Sequence, residues 1–168
     1  MEAVVFMFCL TLHNIEEALW GVEWRAKTMP NSRIKPNQEL FNFALIVVTV
    51  LGYLAAGLHL LYPDNTYFEY AFIGGVGVLL VNAIMPHIIL TIVYRKPCPG
   101  VLTGCFLIIP FHVIILHNAL NRGLTIGEAL VSALAAGLVL LCFFPVLMLA
   151  RKYFTRNNKD EKKRGINT

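Results

Sequence analysis

The sequence predicts an all-α integral membrane protein, a five-helix bundle with its N-terminus outside the cell and its C-terminus in the cytoplasm. Hydrophobic residues make up 57% of the 168 residues and charged residues only 14%, whereas a soluble domain carries about 25% charged residues. Apolar stretches recur along the chain, each close to the roughly 20 residues with which a helix crosses the hydrocarbon core. Basic residues concentrate in alternate connections, which is typical of multi-pass membrane proteins.

The five helices are predicted at residues 2–22, 40–62, 70–94, 101–120 and 128–150. The first needs the most argument, because its clean apolar part at residues 3–12 also has the length of a signal-peptide core. No Lys or Arg precedes that part, and Glu16 and Glu17 stand where a cleavage site needs small neutral residues. We therefore expect a retained helix, with Trp20 and Trp24 at interface depth.

Loop charges predict the orientation of the bundle. Residues 23–39 and 95–96 are rich in Lys and Arg, as is the C-terminal tail, whereas residues 63–69 contain acidic residues and no basic one. Because basic loops stay in the cytoplasm, this alternation places the N-terminus outside. Arg122, alone in the fourth connection, is the weak exception.

The remaining composition argues against several other classes of protein. The polar tail at residues 155–168 is predicted to be disordered and to contact anionic lipid headgroups, so the net charge of +4 indicates no nucleic-acid partner. No nucleotide-cofactor motif occurs, because the glycines at 74–77 lie inside an apolar span and follow no strand. With the small residues at 129, 133 and 137, these glycines instead mark close contacts between the third and fifth helices.

Three polar residues of the first helix, His13, Glu16 and Glu17, provide the main functional signal. A helix advances about 100° per residue, so the three side chains lie within roughly 100° of one another. A carboxylate near the centre of a bilayer costs about 2.5–3.5 kcal/mol on insertion scales and is therefore expected to face the protein interior. We interpret this trio as part of a buried functional site.

Further polar residues are predicted in the cytoplasmic half of the bilayer. Asn82 lies near mid-depth, His87 lies about 7 Å closer to the cytoplasm, and Thr103 lies in the first two turns of the fourth helix. Structural interpretations stay open: Asn82 can bond a neighbouring helix, and His87 can cap a carbonyl that Pro86 frees. His112 is another candidate, although its nine-residue separation from Thr103 puts the two on opposite helix faces.

The string HNIEE at residues 13–17 resembles the signature of the HXXEE family of bacterial and archaeal integral membrane proteins. The resemblance continues with NAIMPH at 82–87 and PGVLT at 99–103. It implies a location in a bacterial or archaeal cell membrane and strengthens the site. It names no reaction, since the family is defined by its motif without an established activity. The fifth helix and His112 carry none of the motif.

The function we favour is a membrane-embedded enzyme that isomerises or hydrolyses a lipid or another apolar molecule. A histidine beside carboxylates can divide the roles of general acid and general base, and an amide can orient the substrate or donate to developing negative charge. The expected catalytic residues are His13, Glu16, Glu17, Asn82 and His87, and the further candidates for binding a cofactor are Thr103 and His112.

A metal-assisted version of this chemistry is an open alternative. Two histidines and two carboxylates, at His13, Glu16, Glu17 and His87, match the ligand set of Zn²⁺ or Fe²⁺. The four cysteines show no CxxC spacing and are interpreted as small core residues, with a metal role for Cys98 or Cys105 as the alternative.

Two other classes of function also stay open. Buried glutamate and histidine are common in proton relays, which indicates a small proton-coupled transporter, although five helices without a repeat are unusual for one. In a structural or accessory membrane protein, the trio would only hold helices together. The sequence does not decide whether the chain forms a homodimer.

Overall fold

The computed structural model describes residues 1–32 and 37–164, and the secondary structure of these residues is helical throughout. The helices are α1 (Glu2–Thr28), α2 (Gln38–Leu61), α3 (Thr66–Tyr94), α4 (Val101–Asn121) and α5 (Ile126–Arg164). Each is long and apolar enough to cross a membrane, α5 through its part Ile126–Phe143. The predicted all-α class with five such helices is confirmed, and the sidedness of the termini stays a prediction.

Polar caps explain where the helices begin. The side chain of Asn37 accepts a hydrogen bond from the backbone N–H of Leu40 at the start of α2, and Asn65 caps α3 in the same way. Thr125 and Glu128 form a reciprocal capping box at the start of α5. Each predicted start lies two to four residues later than the observed one, because the apolar pattern does not include these polar first turns.

Two helices extend past their predicted ends. α1 is six residues longer, and an exposed ion pair between Glu23 and Lys27 supports its last turn. α5 continues through residues 155–164, and the disorder predicted for the tail stays a prediction. No Gly or Pro occurs from residue 146 to residue 164 to end the helix. Residues 165–168 of the predicted tail lie outside the described residues.

Two helices contain wider turns. In α3 the regular helix ends at Asn82, a π-helical segment spans Ala83–Ile88, and Met85 has extended backbone angles (φ −123°, ψ 110°) before Pro86. Pro disfavours the helical conformation of the residue before it, which explains the break. α4 has a similar π-helical segment at Gly104–Ile108. Such segments change which side chains share a helix face.

Close helix contacts follow the small residues, as predicted. A Cβ on Gly74 would lie 2.5 Å from the carbonyl oxygen of Ser132, and one on Gly77 would lie 2.7 Å from the Cβ of Ala133. α3 and α5 therefore touch along their backbones. α1 provides much of the buried core, including Phe6, so its polar residues also face protein.

Candidate functional site

The three polar residues of α1 lie inside the bundle. His13 is 0% exposed, Glu16 is 7% exposed, and the side chain of Glu17 is 14% exposed. Positions i, i+3 and i+4 share one helix face, so α1 directs all three side chains toward α3 and α4. The predicted convergence of these residues therefore occurs.

Glu16 binds the first turn of α4. One of its carboxylate oxygens, Oε2, accepts hydrogen bonds from the backbone N–H of Thr103 at 2.9 Å and from the Thr103 hydroxyl at 2.6 Å. The first N–H groups of a helix have no partner within the helix, and a carboxylate is a favourable acceptor for them. Glu16 is thereby held by α4.

Thr103 in turn orients His13. Its Oγ1 lies 2.9 Å from Nδ1 of His13. A hydroxyl has one hydrogen, and that of Thr103 is used at 2.6 Å toward Glu16, so Oγ1 must accept from His13 Nδ1–H. The chain of hydrogen bonds from Glu16 through Thr103 to Nδ1 of His13 leaves Nε2 of His13 with a free lone pair.

His87 is the second buried ring of the site, and it is 3% exposed. Its Nε2 lies 2.9 Å from Oε1 of Glu17 and 3.2 Å from Nδ2 of Asn82, and its Nδ1 lies 3.8 Å from Sγ of Cys98. The imidazoles of His13 and His87 meet edge to face, with centroids 4.9 Å apart. In a regular α-helix residues 82 and 87 would point about 140° apart; the break in α3 brings them together.

Protons can occupy this group in one consistent arrangement. Nε2–H of His87 donates to Oε1 of Glu17 at 2.9 Å, and the amide of Asn82 donates to the lone pair on Nε2 of His13 at 3.1 Å. The third short contact, 3.2 Å between Nδ2 of Asn82 and Nε2 of His87, is then not a hydrogen bond. A cation bound by Glu17 and the two rings would replace the proton on Nε2 of His87.

Three of these residues are close enough for one ion. One ligand atom from each of His13, Glu17 and His87 lies within 4.8 Å of the other two. Zn–N and Zn–O bonds of about 2.0–2.2 Å place tetrahedral ligand atoms about 3.4 Å apart, so the three side chains would have to move closer together to bind one ion. We name His13, Glu17 and His87 the His-Glu-His cluster.

The other predicted site residues have different positions. Glu16, expected among the metal ligands, is bonded to Thr103 instead and acts on His13 through it. His112 lies outside the cluster: it is 0% exposed and packs against Phe6, with ring centroids 5.5 Å apart. Among the described residues, neither of its ring nitrogens has a hydrogen-bond partner of good geometry.

Two neighbours of the cluster were not among the predicted catalytic residues. Cys98, interpreted as a core residue with a metal role as the alternative, contacts His87. Gly100 has φ +92°, and a Cβ there would lie 2.6 Å from Cε1 of His87 and 2.9 Å from Cε1 of His13. Glycine is thus needed both for the backbone angle and for room between the rings. Cys98 lies just before the PGVLT string and Gly100 lies within it, so this string was the available sequence signal for both residues.

Comparisons with known proteins show which family the sequence of this chain resembles. The sequence model of a family described as "Protein of unknown function with HXXEE motif" matches residues 4–115, a range that includes every residue of the site. The "Uncharacterized protein YrkK" of Bacillus subtilis (strain 168) is 39% identical over 143 residues, which cover 84% of this chain and 90% of that protein. No solved structure matches the chain.

Proposed function

This chain belongs to the family of proteins of unknown function with an HXXEE motif, and we propose that it is a membrane-embedded, metal-dependent enzyme acting on a lipid. The metal would be one divalent transition ion held by His13, Glu17 and His87. One observation carries the proposal: two buried imidazoles and a carboxylate converge, with one ligand atom from each within 4.8 Å of the other two.

The ligand set supports Zn²⁺ or Fe²⁺. Two histidines and one carboxylate form a common catalytic zinc site with an open fourth position, and the same set binds non-haem Fe(II). Metal-bound histidines usually donate their other ring N–H to a second partner. His13 donates to Thr103, and His87 has Cys98 beside its Nδ1.

The charge of the site also favours a cation. Among the described residues, no Lys or Arg forms an ion pair with Glu16 or Glu17. Two carboxylates in a bundle that crosses a membrane need compensation. A divalent ion beside Glu17 would supply it, and Glu16 is already stabilised by Thr103.

The chemistry we propose is metal-assisted hydrolysis of an ester or a similar bond. A metal of this kind polarises the bond under attack and activates water at neutral pH. Glu16, which is not among the ligands of that metal, would serve as the base for that water, and the amide of Asn82 would donate to developing negative charge. The substrate would be a lipid of the cell membrane, since the cluster is buried within helices long enough to span the bilayer.

Elemental analysis of the protein purified in detergent tests the metal. We expect about one Zn or Fe per chain in the wild type and loss of at least 90% of it in His87→Ala and in Glu17→Gln. His117→Ala is the matched control, because His117 bonds only its exposed neighbour Asn121 among the described residues. A folded, monodisperse wild type that stays metal-free after supplementation with either ion would overturn the proposal.

Turnover is tested separately with the metal-loaded protein. Incubation with a membrane lipid extract should release fatty acid or free headgroup, detected by mass spectrometry, and Glu17→Gln should abolish the release. Bound metal without turnover would refute the enzymatic part alone. Substrate-dependent proton flux in liposomes would then indicate the transporter instead.

A further inference from the structure

A second feature of the bundle is an apolar groove of about 410 Å³ between α2, α3 and α5. Phe6 and Leu10 of α1 form its floor. Among the residues that line it, the polar side chains are those of Tyr70 and Ser132, and the Tyr70 hydroxyl already donates to Glu128 at 2.7 Å. The groove is thus lined mainly by apolar side chains and has few free polar groups.

One end of the groove leads to the His-Glu-His cluster. On α1, Leu10 precedes His13 by three residues, and on α3, Leu79 precedes Asn82 by three. Residues three apart share a helix face and differ by about 4.5 Å along the axis. The apolar lining is therefore followed by the polar site on the same faces of two helices.

α2 meets the polar region beside the groove at one hydrogen bond. Thr49 accepts from the Asn14 side chain at 2.7 Å, and Asn14 is adjacent to His13 in the chain. Val48 and Gly52, on either side of Thr49, line the groove. On α2 the groove therefore reaches the level of this hydrogen bond.

The volume of the groove limits what can occupy it. A volume of 410 Å³ holds roughly 14 water-sized or methylene-sized units, given about 30 Å³ each. That suits one acyl chain of a lipid and not two.

The rim of the groove faces the bilayer. In α2 and in the membrane-spanning part of α5, only 6% of the residues are buried. Lipid chains therefore surround the opening, and a chain can enter sideways without crossing water.

From this juxtaposition we propose that the groove binds one acyl chain of the substrate lipid and places its carboxyl end at the His-Glu-His cluster. The proposal rests on the proposed function for the role of the cluster. It adds the substrate class: a fatty-acyl lipid whose ester or carboxyl oxygen meets the cluster while its chain lies over Phe6 and Leu10.

The test uses phospholipids with a diazirine in one acyl chain, incorporated with the protein into lipid nanodiscs and activated by light. Peptide mass spectrometry should find label on the floor residues Phe6 and Leu10, which are 2% exposed. A diazirine near the ester should label near Leu10, and one near the methyl end should label near Tyr70 and Val131. The reverse order would overturn the proposed orientation.

Filling the groove should remove this label. Ala135→Trp projects an indole into the groove and should lower labelling of the floor at least fivefold. Its matched control is Leu134→Trp, at the next residue, which is 68% exposed and outside the lining. If Ala135→Trp does not fold, Ala55→Trp replaces it, with Gly57→Trp as the control because a Cβ at Gly57 meets nothing within 4 Å.

Metal content measured on the same samples separates the two proposals. Loss of floor labelling in Ala135→Trp with the metal retained supports the groove. A metal-loaded wild type without floor labelling, or equal loss in Leu134→Trp, overturns the groove and leaves the metal site. Floor labelling in a protein that binds no metal overturns the proposed function and leaves the chain-binding groove.

Discussion

The N-terminal end and the middle of α1 place acidic residues in very different surroundings. At the N-terminal end, Glu2 accepts two hydrogen bonds from the Arg122 guanidinium, at 3.1 and 3.0 Å, and one from Asn118 at 2.9 Å. That contact raises the pKa of Arg122, whose side chain is 48% exposed. Glu17, near the middle of the helix, faces a histidine instead of a permanent cation.

This difference in surroundings distinguishes a structural ion pair at Glu2 from a candidate binding site at Glu17. Glu2 and Arg122 balance each other's charge and satisfy each other's hydrogen bonds, so the pair needs nothing further. The His-Glu-His cluster has no permanent cation paired with Glu17 among the described residues, and it brings a carboxylate and two imidazoles near one point. Such a ligand set is typical of a metal site.

Among the variants that test this difference, Gly100→Ala is expected to have the largest effect on metal affinity. The new Cβ would lie within 2.9 Å of both imidazoles, so the rings must separate, and we expect the metal affinity to fall about 10–100-fold. Gly123→Ala is the matched control, because Gly123 also has positive φ (110°) while a Cβ there meets nothing within 4 Å.

Both glycine variants should lose roughly 1–2 kcal/mol of stability from backbone strain, measured by reversible unfolding in mixed micelles. Only Gly100→Ala should lose metal, measured by competition with a chelator. Equal metal affinity in the two variants would show that the rings do not form the ion site.

A somewhat smaller effect is expected from Thr103→Val, which keeps the shape of the side chain and removes the hydroxyl. Nδ1 of His13 and Oε2 of Glu16 lose their shared partner, so we expect a loss of up to about tenfold in metal affinity. Thr103→Ser should restore it. A valine variant with wild-type affinity would mean that the Glu16–Thr103 chain does not orient His13.

The smallest effect is expected where the N-terminal end of α1 is changed. Arg122→Leu removes an ion pair between partly exposed groups, which is worth about 0.2–1 kcal/mol. Metal content and metal affinity should be unchanged, because the pair makes no contact with the cluster. Loss of metal in this variant would show that the Glu2–Arg122 pair is coupled to the His-Glu-His cluster. The pair could then not be treated as a purely structural contact.

Much of the candidate site is predictable from the sequence, although the partners of its residues are not. Periodicity places His13, Glu16 and Glu17 on one face, and the depth argument brings Asn82 and His87 to a similar level. Neighbouring carboxylates at Glu16 and Glu17 look equivalent in sequence. In the fold, however, one binds α4 and the other binds His87.

The remaining differences arise where the backbone leaves the regular helix. Helical geometry at about 100° per residue separates residues 82 and 87, and only the break at Met85 brings their side chains to one point. Likewise, the positive φ of Gly100 directs the start of α4 against both rings. Such local departures depend on packing, which a periodic pattern does not describe.

The sequence by itself determined five membrane-length helices, charge inside the first of them, and membership of a motif family, because hydropathy, charge and residue order are properties of the chain alone. Tertiary structure decided which lone pairs meet, why His112 packs against Phe6 instead of joining the cluster, and that an apolar groove forms between α2, α3 and α5. The physical reason is that contacts between helices depend on where each one bends and how closely its small residues let a neighbour approach.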